Sequence, residues 1–198
     1  RLGVHALHDG ERLQAVAALA QIVTAGLETA MRRLDDKCTV ESFNLLEIML
    51  VGRAVSAVVH ELYPAGVPPE NSRGTLIVAT LEGDVHDLGK NIVKMVLIGK
   101  GYRVVDLGRD CPVATLVAAT AREAASGVLI SGLISSIVPQ VRRVRPALRT
   151  HGLGSVWVVA GGAALKQCAA ADLDVDYVAE NAFDGARYIE ARFTGATP

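Results

Sequence analysis

Hydrophobic residues follow two different patterns along the chain, and the change comes near residue 70. From about residue 9 to residue 62, apolar positions recur every three or four residues, as they do between Leu13 and Ala20. This is the spacing of a helix face. The proline- and glycine-rich stretch PAGVPP at residues 64–69 ends the pattern. We therefore predict two domains, a helical bundle over residues 1–70 and a second domain over residues 71–198.

The second region alternates short β-rich runs with helical stretches. A strand followed by a helix, repeated five times, is typical of a doubly wound parallel sheet. We predict an α/β domain of Rossmann-like architecture, with five parallel strands in the flavodoxin-type order. The predicted strands are Thr75 to Leu81, Tyr102 to Asp106, Gly127 to Ile130, Ser155 to Ala160 and Asp176 to Ala179.

Composition and charge exclude several classes of protein. The chain has 198 residues and is 51% hydrophobic, so it can bury a large core. With 20 basic and 21 acidic side chains, it lacks the basic excess expected of a partner for nucleic acid or a membrane surface. The three cysteines form no CxxC pair, which argues against a disulfide framework. We expect a cytoplasmic protein with neither nucleic acid nor membrane as partner.

The segment with the most candidate chemistry is DVHDLGKN, which follows the first predicted strand. Ligands of parallel α/β sheets bind at the carboxyl ends of strands. Asp84 stands two residues before His86, so its carboxylate can orient the imidazole while the other ring nitrogen binds a metal. Gly89 offers no side chain where the helix begins, so a bulky group can approach the backbone.

Two plainer interpretations of this segment remain open. Asp84 or Asp87 can serve as an ordinary cap of the following helix. A zinc site built from Asp84, His86 and Asp87 is conceivable, but neighbouring loop residues rarely converge on one tetrahedral ion without further ligands.

The pattern Asp-x-His-x-x-Gly, formed by Asp84, His86 and Gly89, resembles the signature of cobalamin-binding domains. Two later strand ends match the same family in the same order. The segment Ser131-Gly132-Leu133 is similar to its Ser-x-Leu motif, and Gly161-Gly162 to its Gly-Gly motif. The helical half is similar to the cap of methionine synthase and of corrinoid proteins of methyltransferase systems, over residues 26–31 and 43–54.

The resemblance implies cobalamin as cofactor, carried as methylcobalamin, with His86 replacing the cofactor's own base as lower ligand of cobalt. Asp84 would accept a hydrogen bond from the other ring nitrogen. Small residues would leave room for the nucleotide tail between the strand ends. The implied cofactor-binding residues are Asp84, His86, Asp87, Gly89, Ser131, Leu133, Ser135, Gly161, Gly162, Val178 and Met49, and the metal ligand is His86.

In methionine synthase a hydroxyl residue six positions after the Ser of Ser-x-Leu extends the Asp–His pair into a proton relay. Here Ile137 stands at that position, so Ser135 or Ser136 can replace the hydroxyl only if the loop shifts.

The resemblance also implies an apolar lid over the methyl group, supplied by a helix from Phe43 to Val58. Phe43, Leu46, Met49 and Leu50 are the candidate lid residues, although positions that merely pack the bundle would look the same.

The chain is too short to hold both the methyl-donor and the methyl-acceptor domains of such chemistry. The resemblance therefore implies a non-catalytic carrier that moves a methyl group between a substrate-specific methyltransferase and a tetrahydrofolate methyltransferase, with a reductive activator as a further partner. One alternative is a light- or ligand-responsive cobalamin sensor, which shares the cap and sheet but adds a DNA-binding domain. Another is the cobalamin subunit of a carbon-skeleton mutase, which generally lacks the cap.

Overall fold

The computed structural model describes residues 72–195 and, ahead of them, only six further residues, all helical. Most of the predicted helical bundle, the domain boundary near residue 70, Phe43 and Met49 lie outside the described residues. Among the six are the candidate lid residues Leu46 and Leu50, whose side chains are 66% and 59% exposed. The six residues are Leu46, Leu50, Arg53, Ala54, Ala57 and Glu61.

The sheet has five strands, all parallel, in the order β2-β1-β3-β4-β5. This confirms the predicted flavodoxin-type α/β fold, because the strand order reverses once, beside β1. The strands are β1 Thr75–Thr80, β2 Arg103–Asp106, β3 Gly127–Ser131, β4 Trp157–Gly161 and β5 Tyr177–Ala179.

Each strand begins within two residues of its predicted start. The largest difference is in β4, which begins at Trp157 rather than at Ser155. The reason is a turn that precedes the strand, in which the Val156 N–H donates to Leu153 O at 3.1 Å. Only at Trp157 does the backbone pair with the neighbouring strand, opposite Gly127 of β3.

Helices cover both faces of the sheet. The first and last helices pack together on one face, and the others cover the opposite face. No helix in the described part of the chain is both long and apolar enough to span a bilayer. The helices are α1 Leu88–Gly99, α2 Val113–Arg122, α3 Val138–Thr150, α4 Ala170–Leu173 and α5 Ala182–Thr194, with short 3₁₀ turns at Ser135–Ile137 and Leu165–Gln167.

Strand β1 lies inside the sheet and is covered on both faces, which explains its unbroken apolar run. Leu76 and Val78 pack under α1 and α5, whereas Ile77 and Ala79 pack under α2 and α3. All four side chains are fully buried. The carboxyl end of β1 is thereby held rigidly at the centre of the sheet, and the loop that carries His86 starts from it.

Candidate functional site

Asp84 connects the loop after β1 to the loop after β3. Its side chain is fully buried. Oδ1 accepts the His86 N–H at 2.9 Å and lies 2.7 Å from His86 Nδ1. Oδ2 accepts the Leu133 N–H at 2.7 Å and, more weakly, the Ile134 N–H at 3.5 Å. One carboxylate therefore fixes the conformation of both loops and the orientation of the imidazole.

The ionisation of Asp84 decides which nitrogen of His86 can bind a metal. Burial alone would raise the pKa of Asp84, but the hydrogen bonds from His86, Leu133 and Ile134 outweigh it and hold the pKa below its ordinary value. A carboxylate only accepts hydrogen bonds, so Nδ1 must carry the hydrogen of the neutral ring and Nε2 keeps its lone pair. The His86 side chain is 49% exposed. Among the described residues Nε2 has no hydrogen-bond partner, so it can ligate a metal.

The helix-cap interpretation does not describe this geometry. Asp87 is the N-cap residue of α1, but its side chain makes no capping hydrogen bond. The carboxylate of Asp84 bonds to His86 and to the loop after β3, away from the first amides of α1.

The zinc interpretation also finds no support within residues 72–195. No group of three or more His, Cys, Asp or Glu side chains is placed there to hold a metal ion. His86 is thus suited to a metal that brings its other ligands with it.

The hydroxyl relay of methionine synthase has no counterpart at Asp84. Ile137 is fully buried, while Ser135 and Ser136 are exposed, and neither serine bonds to Asp84. The Leu133 N–H occupies the second carboxylate oxygen instead. A backbone amide does not give up its proton at ordinary pH, so a proton relay that starts at His86 ends at Asp84.

Beside this loop a cavity of about 200 Å³ opens between α1, the ends of β3 and β4, and the start of α5. It brings together four of the predicted cofactor-binding residues, Gly89, Ser131, Gly161 and Gly162. The cavity and the Asp84–His86 pair share one edge of the sheet.

Glycines allow the walls of this cavity to pack closely together. A Cβ at Gly89 would lie 2.9 Å from Ser131 Oγ, and one at Gly185 would lie 3.2 Å from Ala179 Cβ. Gly162 has a φ of +100°, and a Cβ there would overlap the carbonyl oxygen of Gly132. These glycines therefore let α1, α5 and the loop after β4 pack tightly against their neighbours, and they add no side chain to the cavity wall.

Four other predicted residues do not line the cavity. The side chain of Val178 packs against the cluster on the opposite face of the sheet, and its neighbour Ala179 faces the cavity instead. Leu133 contributes its backbone N–H to Asp84 rather than its side chain. Asp87 and Ser135 stand apart from the cavity, at the N-terminus of α1 and in a 3₁₀ turn.

Sequence reasoning missed an ion pair under the loop. Lys90 is only 2% exposed, and its Nζ donates to Asp106 Oδ1 at 2.6 Å and to Asn91 Oδ1 at 2.8 Å. Burial alone would raise the pKa of Asp106, but hydrogen bonds from Lys90, Gly108 and Lys94 lower it. The signal in the sequence was a lysine next to Gly89 and an aspartate at the end of the second strand, a pairing that only the folded sheet reveals.

Three exposed apolar side chains belong to the two segments that Asp84 joins. Val85, Leu88 and Leu133 are 59%, 46% and 48% exposed, although each belongs to a residue type that usually lies inside. Val85 precedes His86, Leu88 begins α1 two residues after it, and Leu133 donates its N–H to Asp84. Together these three residues make up the apolar patch of the site, and the His86 side chain is half-exposed.

Sequence comparisons identify the family of this chain. The family profile described as B12 binding domain matches residues 74–187, more than half of the chain. Dimethylamine corrinoid protein 2 of Methanosarcina mazei is 34% identical over 176 residues, which is 87% of this chain and 82% of that protein. Its resemblance extends well beyond the motif.

Solved structures show the same fold. A novel cobalamin-binding protein from Desulfitobacterium hafniense matches 92% of this chain and 88% of its own, with 26% identity and a TM-score of 0.73. The methanol:cobalamin methyltransferase complex of Methanosarcina barkeri matches 94% of this chain and 74% of its own, with 27% identity and a TM-score of 0.78. The chain belongs to the B12-binding family and, within it, to the cobalamin-binding corrinoid proteins of methyltransferase systems.

Proposed function

We propose that the chain is a methyl carrier that holds cobalamin through His86 as the lower cobalt ligand and serves two partner methyltransferases. The observation that supports this most is the contact of 2.7 Å between His86 Nδ1 and Asp84 Oδ1. In the neutral ring this contact keeps the hydrogen on Nδ1 and leaves the Nε2 lone pair to bind a metal in a fixed orientation, which is what a single protein ligand to a metal requires. When bound, the corrinoid supplies the cobalt that accepts and releases the methyl group.

Asp84 is a positioning residue in this proposal. Its negative charge makes the imidazole a stronger donor, and its bond to Leu133 ties the ligand loop to the loop after β3. The apolar patch of Val85, Leu88 and Leu133 would pack against the apolar underside of the macrocycle and exclude water from the bond between His86 and cobalt.

The glycine-lined cavity is proposed to take the base end of the nucleotide tail. Once His86 replaces this base on the metal, the base needs another place out of water. The cavity adjoins the ligand loop through Gly89 and has room for one ring system at about 200 Å³. Ser131 stands at its entrance, and among the described residues its hydroxyl has no hydrogen-bond partner, so it is available to the tail.

We also propose that Leu46 and Leu50 belong to an apolar lid over the methyl group. Leu46 and Leu50 are four positions apart in helical residues, so they share one face, and both are exposed. A leucine that packed the interior of a bundle would be buried. Exposed leucines on one helix face fit a surface meant to cover a bound group.

The methyl donor is proposed to be a methylamine, because the 34% identical relative is a dimethylamine corrinoid protein. That likeness also favours a carrier over a sensor or a mutase subunit. Tetrahydrofolate as final acceptor, and a reductive activator, are proposed from the family resemblance.

The test uses the full chain reconstituted with methylcobalamin and freed of unbound cofactor. We expect close to one cobalamin per chain, and methyl loss when a tetrahydrofolate-specific methyltransferase is added together with tetrahydrofolate. Failure to retain cobalamin would overturn the proposal. Preferential retention of adenosylcobalamin, with a change of oligomeric state in light, would overturn the carrier role in favour of a sensor.

A further inference from the structure

We propose that the cavity between α1 and α5 selects the lower base of the corrinoid, favouring an apolar base, such as a benzimidazole or a phenol, over a purine. The inference rests on the proposed function, because it requires the nucleotide tail to enter the cavity. It concerns a different property, which is the chemical identity of the base that binds.

The floor of the cavity is hydrophobic. Leu129 precedes Ser131 by two positions in β3, and Val159 precedes Gly161 by two positions in β4, so each pair shares a sheet face. Leu129 and Val159 therefore lie about 7 Å further from the entrance, and they are only 4% and 2% exposed. Phe183, which is 2% exposed, belongs to the same buried cluster.

The polar side chains that line the cavity are either engaged elsewhere or placed at its entrance. The ammonium of Lys90 is held by Asp106 and Asn91. Asn181 Oδ1 accepts the two backbone N–H groups that begin α5, at 3.0 and 2.9 Å. Ser131 stands at the end of its strand, and Glu180 follows the end of β5 with its side chain 75% exposed. No side chain that lines the floor can donate or accept a hydrogen bond.

The backbone groups of the floor are already hydrogen-bonded within the sheet. Leu129 and Val159 pair directly with each other across β3 and β4. Their N–H and C=O groups belong to the ladders of a sheet that has a strand on each side of β3 and of β4. A ligand that reaches the floor therefore meets only apolar side chains.

Lower bases differ in the edge that they would bring to this floor. A benzimidazole or a phenol carries carbon there, whereas an adenine carries an amino group and two ring nitrogens in its six-membered ring. Polar groups buried without partners lose their hydrogen bonds to water and gain none. An apolar pocket typically discriminates by about 10- to 100-fold against such a ligand.

Equilibrium dialysis of the full chain against three corrinoids tests the inference. The first carries a p-cresol base, the second an adenine base, and the third is cobinamide, which has no nucleotide. The corrinoid's own base competes with His86 for the cobalt. A phenol does not coordinate cobalt and an adenine does so only weakly, so this competition lowers the affinity of the adenine corrinoid only slightly. Cobinamide reports the affinity of the corrin and His86 alone.

We expect the dissociation constant of the p-cresol corrinoid to be at least about tenfold lower than that of the adenine corrinoid, which corresponds to about 1.4 kcal/mol. The adenine corrinoid should bind about as weakly as cobinamide. Equal or reversed affinities of the two complete corrinoids would overturn the selectivity. Failure of all three to bind, cobinamide included, would instead overturn the proposed function.

A pair of variants locates the selectivity. Val159→Thr places a hydroxyl on the floor, whereas Val158→Thr makes the same change in the same strand but on the opposite face, where Val158 is fully buried. Val159→Thr should reduce the preference at least about threefold, because the hydroxyl can bond to the purine edge. Val158→Thr should leave the preference unchanged. Equal effects of both variants, or no effect of Val159→Thr, would contradict a role for the floor. The comparison of the three corrinoids uses the unaltered chain, so it does not depend on whether either variant folds.

Discussion

Replacing Asp84 by Asn should separate the positioning of His86 from the shape of the loop. Asparagine has nearly the same size as aspartate but offers one acceptor and one donor, whereas Asp84 accepts at both oxygens. Oδ1 faces the His86 N–H at 2.9 Å, and Oδ2 faces the Leu133 N–H at 2.7 Å. Whichever way the amide turns, its NH₂ group points at a backbone N–H.

The magnitude follows from this conflict. One backbone N–H loses its partner at a fully buried site, which costs about 1 to 3 kcal/mol of unfolding free energy. If the NH₂ group faces the ring, Nδ1 must become the acceptor, and the hydrogen moves to Nε2, where it blocks metal ligation. Loss of such an outer partner typically weakens metal binding by about 10- to 100-fold. We therefore expect Asp84→Asn to raise the dissociation constant of cobalamin by about 10- to 100-fold.

The assay is an absorbance titration with methylcobalamin, paired with urea unfolding of the same preparations. Asp87→Asn is the matched control, since Asp87 lies three residues away on the same loop and its side chain makes no capping hydrogen bond. Asp87→Asn should change the affinity less than about twofold. If the two variants bind cobalamin equally well, Asp84 does not position the ligand and the reasoning fails.

Two further predictions concern stability, and urea unfolding measures both. Gly162→Ala should lower the free energy of unfolding by about 3 kcal/mol or more, because the residue has a φ of +100° and its Cβ would overlap Gly132 O. Gly152→Ala is the control, with a φ of +74° and open space around it, and should lower the free energy of unfolding by only about 1 kcal/mol. Equal losses in the two variants would contradict the overlap. Asp106→Asn leaves Lys90 buried without its anion, which should cost about 3 to 5 kcal/mol at pH 7. Because the folded pKa of Asp106 is lowered, its contribution is complete above the unfolded value of about 3.9 and is lost as pH falls through the folded pKa. The difference between the chain and this variant should therefore shrink from pH 7 to pH 3, and a constant difference would refute the pairing.

Local patterns were enough to predict the strands of the sheet and the loop that carries His86. The apolar run from Thr75 to Thr80 is buried on both faces, so its composition reports its place in the sheet directly. Asp84 and His86 are two residues apart, and such short-range contacts depend on little beyond the loop itself. The motif was therefore a sound guide to the Nδ1–Oδ1 contact.

Contacts between distant segments could not be predicted in the same way. The second partner of Asp84 is the backbone N–H of Leu133, and a backbone donor leaves no mark on residue type. Lys90 is buried because Asp106 lies 16 positions further along the chain at the neighbouring strand end. The choice between Val178 and Ala179 as the cavity residue depends on the register of β5, which spans only three residues.

The central claim, that His86 Nε2 is the lower ligand of cobalt, is tested most directly by electron paramagnetic resonance of the chain loaded with cob(II)alamin. The unpaired electron couples to the axial nitrogen, so natural nitrogen gives a triplet splitting and ¹⁵N gives a doublet. With unlabelled cofactor in a chain labelled with ¹⁵N at histidine, we predict a doublet, and His86→Ala should abolish it. A triplet that persists in the labelled chain would show that the cofactor's own base still holds the cobalt, and would contradict the account.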